Sequence, residues 1–569
     1  MSADKYRFRV RLLIAPFLIA AVAIVGKLYF LQIVHGQDYV AQANRSAVRP
    51  QSGVFNRGAI YFTTKTGEHV SAATLKTGYL LAIKPVDIGN PEALYEKLSK
   101  VIPIDQSEFL AKARKEGDPY EEITHQVTED QASAIRKLKL TGVILESEQW
   151  RFYPGDTLAA PVLGFVAYDG DKQIGRYGLE RYYEDVLSRG EGGLYVNFFT
   201  EVFSAAREIF ASPAETRGDL ITTIEPTVQI ALERELKGIS DEWSPKRVGG
   251  IIMDPETGEI VAMGVYPSFS LNDFTDADPV FFKNPLVENV YEMGSIIKPL
   301  TMAAGIDSGA VTANTTYNDK GFLEVDTATI RNFDGKGRGV VSMQEVLSQS
   351  LNTGVSFVVE KMGIRLFSDY MERFGLGEET GIDLPGELGG LISNLNSPRR
   401  VEHYTASFGQ GIALTPVETV RALASVGNGG VLVTPHVVKA IKHETGVTRT
   451  LAQPEPVRVI SKETSHEVSR MLTVVVDTAL VEGKNKLEHY SVAAKTGTAQ
   501  IANPNGGGYY DDRYLHSFFG YFPSYDPKFI VFFYVLEPVG VKYASQTLAD
   551  PFSRISKFLI NYYEIPPDR

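Results

Sequence analysis

Ser295-Ile296-Ile297-Lys298, Ser350-Leu351-Asn352 and Lys495-Thr496-Gly497-Thr498 are the three stretches that decide the fold and chemistry of this chain. In the first, a hydroxyl and an amine lie three residues apart, which puts both side chains on one face of a helix. The second adds another hydroxyl and an amide. The third adds a lysine followed by small residues that suit a strand edge. Together they predict an enzyme that transfers acyl groups through a serine ester.

Each motif is weak by itself, because the same patterns recur elsewhere in the chain. The further copies are Ser2–Lys5, Ser270–Asn272, Lys65–Gly67 and Lys76–Gly78. Only the copies at 295, 350 and 495 follow one another with domain-scale gaps and carry fitting flanks: a turn into a short helix for the first, and an apolar run before a strand for the third. We expect both early K-T-G copies to be ordinary turns, since Gly and Thr after Lys suit hairpin loops.

Longer stretches of the chain resemble the class B penicillin-binding proteins, the peptidoglycan D,D-transpeptidases. The similar stretches are Arg57–Ile60, Gly178–Glu180, Gly249–Met263 and Phe408–Glu418, so the resemblance covers nearly the whole chain. One departure lies at Tyr61–Thr64, where the family has an Asp-Arg-x-Gly turn.

Two further stretches bear on the subtype. Val492–Gln500 and His516–Pro523 look closer to the septal, cell-division type of the family than to the elongation type. The septal type is therefore favoured, and the elongation type stays open.

The resemblance implies a catalytic role for five side chains. Ser295 is the expected nucleophile, and Lys298 is the base that activates it. A lysine acts as a base only when its pKa is depressed, as happens on burial beside another cation, here Lys495. Ser350 is expected to relay a proton between the lysines and the leaving amine. Asn352 is expected to hold the backbone amide of the substrate.

The third motif is expected to bind the peptide. Thr496 and Thr498 would hydrogen-bond the substrate carboxylate, and Gly497 would let the peptide lie along the strand edge. The expected oxyanion hole consists of the backbone N–H groups of Ser295 and Thr498. Leu351 stands where many relatives have Asp, so we expect it to be a packing residue.

Composition limits the function classes. A chain of 569 residues is too long for one core, so two or more domains are expected. It has 0 cysteines, which excludes disulfides, thiolate catalysis and cysteine-ligated metals. The net charge of −12 argues against nucleic acid as the main partner. The proposed chemistry needs no metal and no organic cofactor.

A membrane anchor is predicted at the N-terminus. Four cations up to Arg11 precede an uncharged run from Leu12 to Gly26, and apolar residues continue past Lys27 to Val34. The cations should stay in the cytoplasm while the rest of the chain is exported across the bacterial inner membrane. A cleaved signal peptide is the alternative, with a small-residue site at Ala21–Ala23, but the apolar run continues beyond it.

We therefore expect an α/β protein with four parts. These are a cytoplasmic tail (1–11), a single transmembrane anchor (12–34), a mixed α+β pedestal (35–219) and a serine transpeptidase domain (220–569). The last part should contain a mostly antiparallel sheet flanked by helices. The implied partners are peptidoglycan stem peptides, β-lactam antibiotics, a SEDS-family glycosyltransferase and membrane proteins of the division complex.

Two rival functions are a β-lactamase and a β-lactam sensor. A class A β-lactamase adds a deacylating Glu in a Glu-x-x-Leu-Asn pattern. The Leu395-Asn396 pair is preceded three positions earlier by Ile392, so that device is missing. A sensor needs a second cytoplasmic or multi-span module, and only about ten residues precede the predicted anchor.

Overall fold

A computed structural model describes residues 55–170, 172–189, 216–503 and 506–569. The predicted tail (1–11) and anchor (12–34) lie outside these residues. Within the described ranges, no helix has both the length and the apolar character that a bilayer crossing requires.

The N-terminal part of the described chain is a mixed α+β module. Its strands are β1 (Ile60–Thr63), β2 (His69–Ile83), β3 (Glu121–Val127), β4 (Val143–Phe152), β5 (Val166–Asp169), β6 (Lys172–Gly175) and β7 (Gly218–Thr222). Its helices are α1 (Pro91–Leu98), α2 (Gln106–Ala113), α3 (Glu129–Lys137), α4 (Ala160–Leu163), α5 (Gly178–Tyr182) and α6 (Glu184–Leu187).

The rest of the chain forms a larger α/β part. Its helices are α7 (Pro226–Trp243), α8 (Pro285–Glu288), α9 (Lys298–Asp307), α10 (Met343–Ser348), α11 (Asn352–Met362), α12 (Ile364–Arg373), α13 (Arg400–Ala406), α14 (Pro416–Gly427), α15 (Lys462–Val474) and α16 (Ala544–Tyr562). Its strands are β8 (Arg247–Met253), β9 (Ile260–Tyr266), β10 (Thr316–Asp319), β11 (Phe322–Val325), β12 (Ala328–Arg331), β13 (Gly339–Ser342), β14 (Val431–Leu432), β15 (Val438–His443), β16 (Thr448–Thr450), β17 (Val457–Arg458), β18 (Ala493–Ala502), β19 (Tyr509–Phe522) and β20 (Phe529–Leu536).

A five-stranded antiparallel sheet forms the centre of the larger part, in the order β18-β19-β20-β8-β9. The middle strand, β20, is apolar at every position, because both of its faces are covered. Ile530 and Phe532 belong to the core on one face, while Val531 and Phe533 join the α7 and α16 side chains on the other. Strand β18, which carries the third motif, lies at the open edge.

Helix α9 is the central helix of the layer that covers the face of this sheet on which Ile530 and Phe532 lie. All residues from Lys298 to Gly305 are buried, which is typical of a helix surrounded by protein. It contacts α11, α12, α14 and α15. The first motif therefore lies where this buried helix meets the open sheet edge.

A second sheet joins the two parts of the molecule. It has seven strands in the order β16-β15-β7-β1-β2-β3, and β4 also pairs with β2. Strand β7 pairs in parallel with β1 and antiparallel with β15. The residues that depart from the family turn, Tyr61–Thr63, are part of β1.

The structure describes three of the four further copies of the motifs. Lys65–Gly67 is a turn as expected, but the prediction for Lys76–Gly78 was wrong, because this copy lies in the middle of β2. There, a Cβ on Gly78 would come within 2.5 Å of Val127 O, so a close approach of strands explains the glycine. The Ser270–Asn272 copy is structural: Asn272 Nδ2 donates to Tyr153 O at 2.8 Å.

Two stretches that resemble the family's N-terminal module meet in a buried ion-pair network. Glu180 is fully buried and accepts from Arg57 Nε at 2.5 Å and from Arg151 Nε at 2.6 Å. Burial alone would raise the pKa of Glu180, but the two guanidinium groups outweigh it and lower that pKa. Arg151 also donates to Gly58 O, so the network fixes the start of β1.

Substituting Glu180→Ala should destabilise the protein strongly, because Arg151 would stay buried without a carboxylate partner and Arg57 would keep only Glu184. Breaking a buried pair in this way costs about 3–5 kcal/mol of unfolding free energy. The measurement is chemical denaturation of the full chain in detergent. Glu108→Ala is the control, since it removes an exposed carboxylate paired with Lys112 at 2.6 Å and should barely move the midpoint. Equal midpoints for both variants would contradict this account.

Candidate active site

Ser295 lies in a short 3-10 turn, Gly294–Ile297, that runs directly into α9. The turn packs against Gly409: Gly294 N donates to Gly409 O at 3.1 Å. A Cβ on Gly409 would lie 2.3 Å from Gly294 O, so only glycine permits this approach. The Phe408–Glu418 stretch thus supports the turn that carries Ser295, the predicted nucleophile, and its Thr415–Glu418 capping box starts α14.

Lys298 is the first residue of α9 and is fully buried. Its Nζ donates to Ser350 O at 2.5 Å and to Ser350 Oγ at 3.1 Å. Burial, and next the nearby charge of Lys495, hold the pKa of Lys298 well below its usual range. A neutral amine is therefore accessible one helical turn from Ser295, as general-base catalysis requires.

Ser350 joins the two lysines. Lys495 Nζ donates to Ser350 Oγ at 3.0 Å, so one hydroxyl contacts both amines. The backbone of Ser350 has a φ of 55°, in the left-handed region that serine seldom adopts. Strained backbone of this kind is concentrated at functional sites. In this conformation the carbonyl and the hydroxyl of Ser350 both face Lys298.

Asn352 begins α11, one residue after Leu351, which is fully buried. Its Nδ2 donates to Arg331 O at 2.9 Å, at the end of β12. The hairpins β10–β13 therefore position the amide that was predicted to hold the substrate. They are held in turn by buried Asp319, which accepts from Thr353 Oγ1 at 2.8 Å.

Alternation along β18 divides the third motif between two faces. Lys495 and Gly497 face the nucleophile turn, and Lys495 is buried, which lowers its pKa to about 8. A Cβ on Gly497 would lie 2.6 Å from Met293 O, so glycine lets the strand pack against that turn. This gives Gly497 a packing role beside the predicted one of leaving room for the peptide.

The two threonines of the motif, Thr496 and Thr498, are half-buried on the opposite face of the edge strand. Thr498 Oγ1 accepts from Ala544 N at 3.1 Å. The backbone at Thr498 also borders the nucleophile turn, because a Cβ on Gly294 would lie 3.2 Å from Thr498 C. That proximity is what the predicted oxyanion hole needs, and the role of the two N–H groups stays a prediction.

Comparisons with known proteins identify the family. The model of the penicillin-binding protein transpeptidase domain matches residues 248–557, and the model of the penicillin-binding protein dimerisation domain matches residues 56–201. Stage V sporulation protein D of Bacillus subtilis is 32% identical over 92% of this chain and 81% of its own length. The chain belongs to the class B penicillin-binding proteins.

Other relatives agree with that assignment. Peptidoglycan D,D-transpeptidase FtsI of Escherichia coli K12 is 26% identical over 100% of this chain and 94% of its own length. In fold, the chain resembles penicillin-binding protein 2X of Streptococcus thermophilus, with a TM-score of 0.72 and 23% identity over 90% of this chain and 81% of that one. Penicillin-binding protein 3 of Mycobacterium tuberculosis in complex with aztreonam gives a TM-score of 0.69 and 21% identity over 91% and 98%.

Sequence reasoning missed several residues of this penicillin-binding protein that shape the site. Ser517 Oγ donates to Met293 O at 2.7 Å and holds the segment before the nucleophile. Glu292 accepts from Gly411 N at 3.1 Å and from Tyr509 OH at 3.2 Å, and burial raises its pKa. The available signal was a polar pair, His516-Ser517, inside the otherwise apolar second half of β19, Leu515–Phe522.

The acylation rate of this penicillin-binding protein should depend on pH through both lysines. It should rise with pH as Lys298 loses its proton, and fall above about pH 8 as Lys495 loses the charge that attracts a carboxylate. The measurement is the second-order acylation rate with a chromogenic β-lactam. In Lys495→Arg the alkaline limb should move upward, because arginine stays charged. Lys112→Arg, on the surface, should leave the profile unchanged, and an alkaline limb that stays in place in Lys495→Arg would refute the assignment.

Proposed function

We propose that this protein is a peptidoglycan D,D-transpeptidase that cross-links stem peptides through an ester of Ser295, during septal wall synthesis. The observation that carries the chemistry is the chain of hydrogen bonds Lys298–Ser350–Lys495 beside the nucleophile turn. Its family membership and the names of its relatives agree with a D,D-transpeptidase.

Acylation follows from the geometry. Ser295 Oγ attacks the carbonyl between the two terminal D-Ala residues, and its proton passes to neutral Lys298. When the C–N bond breaks, the leaving D-Ala nitrogen takes up a proton, which Ser350 relays from Lys298. Lys495 attracts the carboxylate of the leaving D-Ala. Developing negative charge on the carbonyl oxygen is stabilised by backbone N–H groups.

Transfer to the acceptor reverses these steps. An amine of a neighbouring stem peptide attacks the Ser295 ester and gives up a proton to the same lysine–serine relay. A new peptide bond forms, and Ser295 recovers its hydrogen. A β-lactam acylates Ser295 in the same way, but its ring-opened amine stays attached to the acyl group. Deacylation by water is then expected to be slow.

Labelling with a fluorescent penicillin tests the chemistry. The wild-type protein should form a stable covalent adduct on Ser295, and Ser295→Ala should lose it because the nucleophilic oxygen is absent. Ser270→Ala is the matched control, since Ser270 donates to Asp156 at 2.5 Å in the structural copy of the S-x-N motif. Labelling of Ser295→Ala would overturn the proposal. Rapid turnover of the label by wild type would favour a β-lactamase.

The septal role is supported by the resemblance of Val492–Gln500 and His516–Pro523 to the division type of the family. Depletion of the protein in its own organism should give filaments, because a septum would not be completed. Microscopy during depletion is the measurement. Round cells would instead indicate the elongation type.

The membrane location is proposed from the N-terminal sequence. Residues 12–34 are the anchor, residues 1–11 stay in the cytoplasm, and the catalytic domain faces the cell wall, beside a SEDS-family glycosyltransferase and other division proteins. Deleting residues 1–34 should release the protein from alkali-washed membranes, since the predicted anchor would be removed. Full retention of that variant in the washed membrane would contradict the proposal.

A further inference from the structure

The hydroxyl of Thr498 accepts a hydrogen bond from the first turn of α16. Ala544, the first residue of that helix, donates its N–H to Thr498 Oγ1 at 3.1 Å. The leading N–H groups of a helix have no partner within the helix, so such a donor is available. Because the hydroxyl oxygen accepts this bond, its own hydrogen is left to donate elsewhere.

His516 holds the segment that presents Ala544. It is the cross-strand partner of Thr498, so both side chains lie on the same face of the sheet. The imidazole is fully buried; its Nε2 lies 3.0 Å from Lys542 O, and its Nδ1 lies 2.9 Å from Thr547 Oγ1. Burial lowers the pKa of His516 to about 4, so the ring is neutral at physiological pH. A carbonyl only accepts, so Nε2 carries the hydrogen and Nδ1 is the acceptor; the Thr547 hydroxyl has Nδ1 at 2.9 Å and Ala544 O at 3.2 Å as its two possible acceptors.

The two partners of the imidazole lie on either side of Ala544 in the chain. Lys542 precedes it by two residues and Thr547 follows it by three. The ring therefore fixes both ends of the short segment that directs the Ala544 N–H toward Thr498. Packing alone does not require an imidazole here, since Phe518 and Phe522 cover the same face of β19 with apolar rings.

We propose that His516 is a positioning residue for the terminal carboxylate of the donor peptide. By fixing the start of α16, it keeps the Ala544 N–H on Thr498 Oγ1, and the Thr498 O–H then points into the cleft as a donor. A carboxylate accepts that bond, whereas an uncharged terminus accepts it more weakly. The inference rests on the proposed transpeptidase function and adds a source of specificity that does not itself touch the substrate.

Two thioester donors test this specificity. They are identical D-alanyl thioesters except that one leaving group ends in a carboxylate and the other in a carboxamide. Wild type should prefer the carboxylate. In His516→Ala the value of kcat/KM for the carboxylate donor should fall about tenfold, the effect of one lost charge-assisted hydrogen bond, while the carboxamide donor changes little. His516→Gln should restore part of the preference, since its amide can still donate to Lys542 O.

His403→Ala is the matched control. His403 is also buried and also contacts one carbonyl and one hydroxyl, with Nε2 2.8 Å from Ser397 O and Nδ1 3.2 Å from Ser368 Oγ. This variant should lose comparable thermal stability without altering the ratio of the two donors. The Thr498→Val variant should lose the preference, and adding His516→Ala to it should cause no further change, because the two residues act as a unit.

Each outcome decides the proposal. An unchanged donor ratio in His516→Ala, with Ser295 still labelled by penicillin, would overturn the positioning role and leave the transpeptidase function intact. Failure of wild type to label would instead overturn the function. If His516→Ala does not fold, Thr547→Val replaces it, since it removes the hydroxyl from Nδ1 and keeps the side-chain volume. It should shift the ratio in the same direction by a smaller factor, and an unchanged ratio would again overturn the role.

Discussion

Two buried lysines that share one serine hydroxyl are the constraint on which the rest of the site depends. Lys298 and Lys495 both contact Ser350 Oγ, and neither amine has a carboxylate partner among the hydrogen bonds of the described residues. Two ammonium groups this close and this poorly solvated repel each other, so one of them is held neutral. In the proposed mechanism the neutral one is the base, and the charged one attracts the carboxylate. The same pair of lysines would thus supply both the base and the cation that binds the substrate carboxylate.

Burying two amines beside each other costs desolvation free energy, and the packing of the surrounding elements holds them in place. The base lies at the start of α9, which is covered on all sides, while the cation lies on β18, at the sheet edge. Their separation is set by backbone contacts that only glycine allows, at Gly409 and Gly497. Ser350 takes a left-handed conformation to reach both. Rigid packing around the site therefore replaces the solvation that the two amines lost.

Residues in short, ordered motifs were the most predictable part of the molecule. Ser295, Lys298, Ser350 and Lys495 were named from order and spacing, and the structure brings the last three within hydrogen-bonding distance. The family and the two-domain α/β fold were also predicted and confirmed. Local pattern failed where tertiary contacts decide, as at Lys76–Gly78, which has turn composition but lies in a strand because β4 pairs with it.

The limits of prediction at the site have the same origin. The roles of Gly409 and Ser517 come from contacts with atoms far away in sequence, Gly294 O and Met293 O, so a local signal such as the polar pair at 516–517 marks the position but does not reveal the role. The first half of β19 was also not predicted. Its residues are mostly exposed, so the sequence there shows no alternation between a buried and an exposed face. The hairpins that hold Asn352 were missed for a similar reason, since each of their strands has only four residues.

Strand β7 connects the pedestal to the catalytic part more closely than a linker would. It lies between β1 and β15 in one sheet, so its hydrogen bonds on either side come from strands that are far apart in the sequence. A fragment that began at residue 220 would lose the β1 partner and expose a bare strand edge, which is a template for aggregation. A load applied to the pedestal is thus transmitted to the catalytic part through these backbone hydrogen bonds.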